Sequence, residues 1–467
     1  MKPRLTQKSL QKRTLHNLST ISIRGLHTNG RLQKSTLGNT STSEDALLKR
    51  VFNKQYPIVL KAKGNYIYLD DGRKIFDASG GAAVSCLGHS QPKLIKALTK
   101  QSKLAIYTSP ASFINEASVL LCTKLVLSTD GLMHKCELVE SGSTGIESGL
   151  RKTLSYQVNS GRPSRTQFIS RKSSYHGITQ GALSVSGNLA RRLPYLSALQ
   201  SSNGHLVSDC YEYRGRLLNE SIPMYVARLK QELRAKIIEV GVDKVAGFII
   251  ETVVGASGGC LVPVPGYLKA MQEVCEEFYI ILIKDEVMSG MGRTGLGAGH
   301  ASIGAVMINK KVYDKLLIQG SMQGSQTFHG LANSSAVGVA VLNTFESLDL
   351  MDKVQRNGIY LKKALMSKLG SHPNVGNING IGHFYGIDLV KNRLSKEPFS
   401  RDLKVSEGLV NLSLSKYNMQ IYGGSGFVDG IRGDHIMIAP SFLCSKKDLN
   451  HIVDTLTRLI NEYFKDK

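Results

Sequence analysis

Several apolar stretches of this sequence end in polar residues of the kind that bind or activate a small ligand. In "LVESGSTGIESGLRKTLSY" (138–156) an apolar run stops at a Ser-Gly-Ser turn and a helical pattern begins. Ser141, Gly142, Ser143 and Thr144 would offer free backbone N–H groups and hydroxyls at a helix start, a site suited to phosphate. Plain N-capping by the same residues is the other reading, since Ser and Thr are usual caps. In "SSYHGITQGALSVSG" (173–187), Tyr175 and His176 follow a strand. The ring can stack on a flat ligand and the imidazole can donate or accept a proton; alternatively both are packed turn residues. "FIIETVVGASGGCLVPVPGYL" (248–268) puts Glu251 at the end of an apolar strand, and "IILIKDEV" does the same with Asp285. Carboxyl ends of parallel strands are where α/β sheets hold ligands. On extended backbone Asp285 and Val287 share one face, and Lys284 and Glu286 the other. A buried aspartate needs a partner for its charge, which a protonated ring nitrogen would supply. Thr327, in "GSQTFHG" ahead of a small-residue helix, is a further hydroxyl, read as a donor or as a cap.

A buried carboxylate beside a glycine-rich turn usually works with a second charged group. Between Asp285 and Val306 the basic side chains are Arg293 and His300, and there is no lysine. Lys284 should point away from the Asp285 face. Lys310 and Lys311 lie past the next strand, at its far end.

The scaffold that must position these residues shows in the periodicity. Residues 58–78 alternate as two strands joined at Asp71-Gly72, a hairpin signal. Residues 91–105 and 112–126 have helical patterns. From about residue 136, short apolar runs alternate with helical stretches, which predicts a mainly parallel α/β sheet. After about 345 come a long helix, a strand at "FYGIDLV", a strand at "HIMIAP" and a terminal helix "KKDLNHIVDTLTRLINEYF". The expected organisation is a large α/β domain over 101–345. A smaller α+β domain would be built from 44–100 and 346–467, with the N-terminal hairpin packing on the C-terminal unit.

The 467 residues allow a large core, and no apolar run approaches the ~18 residues that span a bilayer, so no membrane span is expected. Residues 1–43 carry eight Lys/Arg and no Asp/Glu, with many Ser and Thr. That composition predicts a mitochondrial targeting segment, disordered and removed on import, the alternative being a basic tail on a cytoplasmic protein. The net charge of +23 falls to +15 without it. The remainder is dispersed and has no basic cluster interleaved with aromatics, so nucleic acid is not an expected partner. The seven cysteines are scattered without CxxC spacing, which fits a reduced compartment and no metal site.

The ordered set "YIYLDDGRKIFDASGGAAVSCLGHSQP", "SGSTGIES", "YHGITQGALS", "IIETVVGASGGCLVPVPGYLKAMQEVC", "KDEVMSGMGRTG", "LGAGHASIGAV" and "GDHIMIAPSF" resembles the class III pyridoxal-phosphate-dependent aminotransferases of fold type I. The likeness runs from about residue 50 to the C-terminus. It implies a homodimer that binds pyridoxal 5'-phosphate and moves an amino group from an amino donor to an oxo acid. By that resemblance Gly142 and Ser143 hold the phosphate, Tyr175 stacks on the ring with His176 beside it, and Asp285 pairs with the pyridinium nitrogen. Val287 packs on the opposite ring face, Glu251 orders the site, and Thr327 reaches the phosphate of the other subunit. A competing reading of "GLGAGHASIGA" as a dinucleotide phosphate loop lacks the preceding strand it requires.

Two departures stand out. Thr144 replaces the acid of the family's Ser-Gly-Ser-Glu turn. More seriously, the family's "GRTG" turn is followed by a loop, a strand and Lys-Gly-Leu-Gly-Ala-Gly, whose lysine binds the cofactor covalently. Here "GRTG" runs straight into "LGAG", and Thr294 stands where the family has lysine. The resemblance therefore leaves no catalytic residue identified. It leaves two readings: a transaminase with its lysine segment absent, or a non-catalytic cofactor-binding dimer, as pseudoenzyme or truncated gene model. The lost strand would lie between the Asp285 strand and the antiparallel strand "ASIGAVMI", and these neighbours are expected to close up.

Overall fold

The computed structural model describes residues 47–199, 204–293, 296–322 and 324–465. The targeting reading of residues 1–43 and the position of Thr294 lie outside the described residues. The chain divides into two units, 1–56 and 57–467. Residues 47–56 are turn and irregular backbone, and every helix and strand described belongs to the second unit.

Strands β1 (Val59–Lys63), β2 (Tyr66–Leu69) and β3 (Lys74–Asp77) form an antiparallel meander. The sequence suggested one hairpin here. Gly64, at φ +58°, makes an earlier turn that separates β1 from β2, a left-handed conformation that glycine adopts without steric cost. The two helices that follow are shorter than their periodicity: Pro92–Ser102 and Glu116–Leu127. The second starts late because Asn115 caps it, its side chain accepting from the Ser118 N–H at 2.9 Å.

Six strands then build the ligand-binding scaffold: β4 (Lys135–Val139), β5 (Gln167–Arg171), β6 (His205–Val207), β7 (Val245–Glu251), β8 (Ile281–Asp285) and β9 (Gly304–Ile308). Strands β6-β5-β7-β8 pair in parallel in that order. Every residue of β7 is buried, Phe248 and Ile250 in one core and Ala246 and Ile249 in another, so helices cover both faces. Strand β9 runs antiparallel to β4 in a separate two-stranded sheet.

Strands β8 and β9 do not pair, so the expected closing-up does not occur. Each is anchored by its own packing: β8 by its register with β7, and β4–β9 by a core of Leu121, Leu125, Leu138, Leu296 and Leu342. The open seam shows in exposure. Ile281, Leu282 and Ile283 are apolar yet only half-buried, as are Ala305, Val306 and Met307.

The C-terminal part holds β10 (Val375–Ile381), β11 (Phe384–Leu389), β12 (Met419–Gln420), β13 (Tyr422–Gly424) and β14 (Asp434–Ile438). Strands β10-β11-β14-β13 form an antiparallel sheet, and β12 extends the N-terminal meander through a parallel pairing with β3. Strand β12 thus joins the meander at residues 59–77 to the C-terminal strands. Helices Leu350–Leu369 and Lys446–Phe464 close the core over Leu361, Leu365, Ile436, Leu456 and Leu459.

The loop after β6 is fastened to β11 by a buried polar clasp. The Tyr211 hydroxyl donates to Asp388 Oδ2 and accepts from Asn379 Nδ2 at 3.4 Å. Burial pushes the Asp388 carboxyl up to about 6 from its ordinary 3.8, against the lowering effects of Tyr211 and Arg214. Ionising Asp388 therefore opposes folding: its contribution is present below about pH 4 and is lost as pH rises through about 6. Asp388→Asn keeps an acceptor for Tyr211 but does not titrate. Between pH 4 and 7 this variant should gain about 3 kcal/mol on the wild type in urea unfolding. Parallel stability–pH curves for the two proteins would refute this.

Candidate functional site

The polar residues singled out in the sequence converge at the carboxyl ends of β4, β5, β7 and β8. Strand β4 leads through Glu140 to Ser141, which caps the helix Gly142–Asn159. Ser141 Oγ accepts from the Thr144 N–H at 3.3 Å, and the Ser141 N–H donates to Thr144 Oγ1 at 3.0 Å. Thr144 thus closes the capping box that an acid would normally close. The capping reading holds for Ser141 and Thr144. It leaves the N–H groups of Gly142 and Ser143 without a protein acceptor among the described residues, as helix geometry dictates for the first turn.

The next residues press against this turn. A Cβ on Gly142 would lie 2.5 Å from Val287 Cγ1, so only glycine lets the helix start approach Val287. Ser143 Oγ accepts from the Ile178 N–H at 3.0 Å, and a Cβ on Gly177 would lie 2.6 Å from that oxygen. The Ser143 hydroxyl proton is left to point elsewhere.

Strand β5 delivers Tyr175 and His176. The Tyr175 N–H donates to Glu251 Oε1 at 3.1 Å, and the His176 N–H donates to Ser186 Oγ at 2.8 Å. His176 Nδ1 lies 2.7 Å from Asp285 Oδ2, and Asp285 Oδ1 accepts from the Val287 N–H at 2.9 Å. The β7–β8 register sets Glu251 beside Asp285. Glu251 Oε2 accepts from the Gly255 N–H at 2.9 Å, so one carboxylate fixes the loops after both β5 and β7. Burial raises the Glu251 carboxyl above the usual range, and the Asp285 charge adds to the rise, while His176 and Arg171 oppose it.

The residues fit a phosphorylated pyridine. Two amides and a hydroxyl at a helix start form an anion cradle walled by Val287. Asp285 uses one acceptor site on each oxygen, leaving capacity for a third donor such as a protonated ring nitrogen. His176 Nε2 is buried without a partner among the described residues, while Asp285 holds the imidazole at Nδ1 and Ser186 holds the His176 backbone N–H.

Among the described residues, neither of the basic side chains that the sequence offers between Asp285 and Val306 joins this cluster. Arg293 is fully buried elsewhere, donating to the carbonyls of Ala83, His383 and Pro440 at 2.9–3.1 Å. His300 Nε2 accepts from the Gln91 N–H at 2.9 Å, and its Nδ1 lies 2.9 Å from the Ala298 carbonyl. Lys284 is exposed on β8 while its neighbour Asp285 is buried. Lys310 pairs with Asp314 at 2.8 Å on the exposed start of the helix Lys310–Leu316, which also carries Lys311. Thr327 is exposed and makes no hydrogen bond within this chain among the described residues.

Three participants were not singled out in the sequence. Ser186 and Arg171 anchor His176 and the Glu251 backbone, Arg171 Nη2 donating to the Glu251 carbonyl at 2.8 Å. Arg191 lies over the Tyr175 ring, its guanidinium carbon 4.3 Å from the centroid. A charged residue ending the apolar run "FISR" was the available signal for Arg171; the pairing of Arg191 with Tyr175 has no sequence signature.

The fold and this cluster define a type I pyridoxal-phosphate enzyme scaffold. The aminotransferase class-III family profile matches residues 50–460, and the chain belongs to that family. An uncharacterised aminotransferase of Schizosaccharomyces pombe is 36% identical over 448 residues, covering 90% of this chain and 97% of the relative. An aminotransferase of Gibberella zeae is 35% identical, covering 86% and 83%. A probable mitochondrial gamma-aminobutyrate transaminase of Oryza sativa is 29% identical, covering 85% and 81%. Among solved structures, the omega transaminase of Pseudomonas jessenii in complex with PMP superposes with a TM-score of 0.81 at 26% identity, covering 88% and 93%. Class III aminotransferases are pyridoxal-phosphate-dependent enzymes, and the family places this chain among them.

Replacing Thr144 by Val removes the bond from the Ser141 N–H to Thr144 Oγ1 while keeping the side-chain shape and the Thr144 N–H on Ser141 Oγ. The helix start should lose about 1 kcal/mol of stability in urea unfolding. A change within error would mean that Thr144 does not close the cap.

Proposed function

We propose that this chain retains the cofactor cradle of a transaminase but binds pyridoxal phosphate reversibly and turns over an amino donor and an oxo acid slowly or not at all. The observation that carries this reading is the inventory of cations: no lysine lies between Lys284 and Lys310, and both of those are directed away from Asp285.

In this reading the Gly142 and Ser143 amides and the Ser143 hydroxyl hold the phosphate. Asp285 keeps a ring nitrogen protonated, and His176 fixes the carboxylate orientation. Tyr175 and Val287 take the two ring faces, and Glu251 holds the loops that carry Tyr175 and Gly255. When bound, the pyridine ring supplies an electron sink beside the substrate's amino carbon. No lysine among the described residues of the cluster then stands ready to carry the proton from that carbon. Phosphate, stacking and the Asp285 contact suffice for reversible binding, but not for a covalent hold.

Titration of the purified chain with pyridoxal phosphate should show saturable binding that borohydride does not trap. Asp285→Ala should weaken it about tenfold or more, the cost of a charged hydrogen bond. Covalent retention after borohydride, or turnover at ordinary enzyme rates, would sink the proposal.

We further infer a mitochondrial homodimer in which Thr327 of the partner subunit completes the phosphate site. The basic, acid-free N-terminus and the exposure of Thr327 support this. The endogenous protein should be recovered from mitochondria as a dimer with its first residue near 44. A monomer, or a mature protein beginning at Met1 outside mitochondria, would refute it.

A further inference from the structure

Five of the seven cysteines are buried: Cys86, Cys210, Cys260, Cys275 and Cys444. Burial raises their thiols, to about 11 for Cys86 and Cys210 and about 12 for Cys275 and Cys444, which makes them poor nucleophiles. Cys122 and Cys136 are less buried. Cys122 lies on the helix Glu116–Leu127 and Cys136 on β4, and both pack against the same core of Leu121, Leu125 and Leu138. Cys122 Sγ is 3.5 Å from the Cys136 carbonyl oxygen. Both side chains are half-buried and line one open cavity of about 450 Å³, beside Phe113, Ser118 and His134.

We propose that Cys122 and Cys136 are a peroxide-reactive thiol pair that closes into a disulfide joining the helix Glu116–Leu127 to β4. Cys122 Sγ thus lies beside the Cys136 backbone, and the interaction between the two side chains sets their order of reaction. The Cys136 thiol donates to ionised Cys122 and holds the Cys122 thiol below its usual range. The same contact, with burial, drives the Cys136 thiol up. Cys122 is therefore the attacking thiolate and Cys136 the resolving thiol.

The thiolate of Cys122 attacks a peroxide oxygen: the S–O bond forms, the O–O bond breaks, and hydroxide leaves and takes a proton. Cys136 then loses its proton and attacks the Cys122 sulfur; the S–S bond forms, the S–O bond breaks, and water leaves. Two thiols are oxidised to one disulfide and one peroxide is reduced to two waters. A soft metal is the weaker occupant, because no group of three or more His, Cys, Asp or Glu side chains suited to a metal occurs among the described residues. Strand β4 runs directly into Ser141 and Gly142, so the bond would clamp the strand that carries the phosphate turn. The inference does not depend on whether the cofactor binds.

The test uses the full chain as purified. It is exposed to hydrogen peroxide, blocked with N-ethylmaleimide, cut with trypsin and analysed by mass spectrometry without reductant. Trypsin cleaves after Lys124 and Lys135, so a disulfide holds together two otherwise separate peptides, 104–124 and 136–151. The expected result is this linked pair, formed within one chain and removed by dithiothreitol, while the five buried thiols stay unreacted. In Cys136→Ser, Cys122 should proceed to sulfinic acid instead; in Cys122→Ser, Cys136 should remain a thiol. Alkylation of both thiols after peroxide, sulfinic acid at Cys122 in the wild type, or a link between two chains would overturn the proposal. The wild-type measurement decides the matter even if a variant fails to fold.

Discussion

A buried carboxylate at the end of a parallel strand sets the terms for the rest of this site. Asp285 sits at the carboxyl end of β8, 6% exposed, where an unpaired charge would be costly. It is held by His176 Nδ1 on one oxygen and the Val287 N–H on the other. Each partner is fixed in turn: His176 through its backbone N–H on Ser186, Val287 by contact with the helix start at Gly142. Glu251, one strand over, ties down Tyr175 and Gly255. Four strand ends are thus bound into one polar cluster whose unused acceptor and donor capacity matches a phosphorylated, protonated ring.

The same cluster is flanked by a sheet in two pieces. The parallel strands β6-β5-β7-β8 and the antiparallel pair β4–β9 each have their own apolar support, yet the facing edges do not pair. Unpaired strand edges with half-exposed Ile281, Leu282 and Ile283 leave backbone groups and apolar surface poorly used. That weakness lies next to the glycine-rich run after Arg293.

Positive charge is not scarce in this chain, only differently employed. Arg293 is spent on three backbone carbonyls, and Lys152 on Glu137 and Ser148. Arg171 supports the Glu251 carbonyl, and Arg191 lies on Tyr175. Each is either buried in a structural role or separated from Asp285 by other side chains. An ammonium group cannot be recruited to the ring from such positions without giving up the contacts that hold the strand ends.

Much of the fold was legible in the sequence because it rests on local signals. The terminal helix Lys446–Phe464 coincides with its predicted span, since an amphipathic period and a Ser445 cap are both local. The strand ends at Glu251 and Asp285, the Ser-Gly-Ser turn, and the absence of lysine from 286–309 are properties of residue order alone. The extra turn at Gly64 and the late start at Asn115 were missed, because a positive φ and a cap are chosen among several local options by what packs around them. Only the tertiary structure decided that Thr144 completes the cap, that His176 pairs with Asp285, and that Thr327 is exposed. It alone decided that β8 and β9 stay apart: pairing depends on which surfaces already hold each strand, and those surfaces come from other elements of the chain, β7 for β8 and β4 for β9.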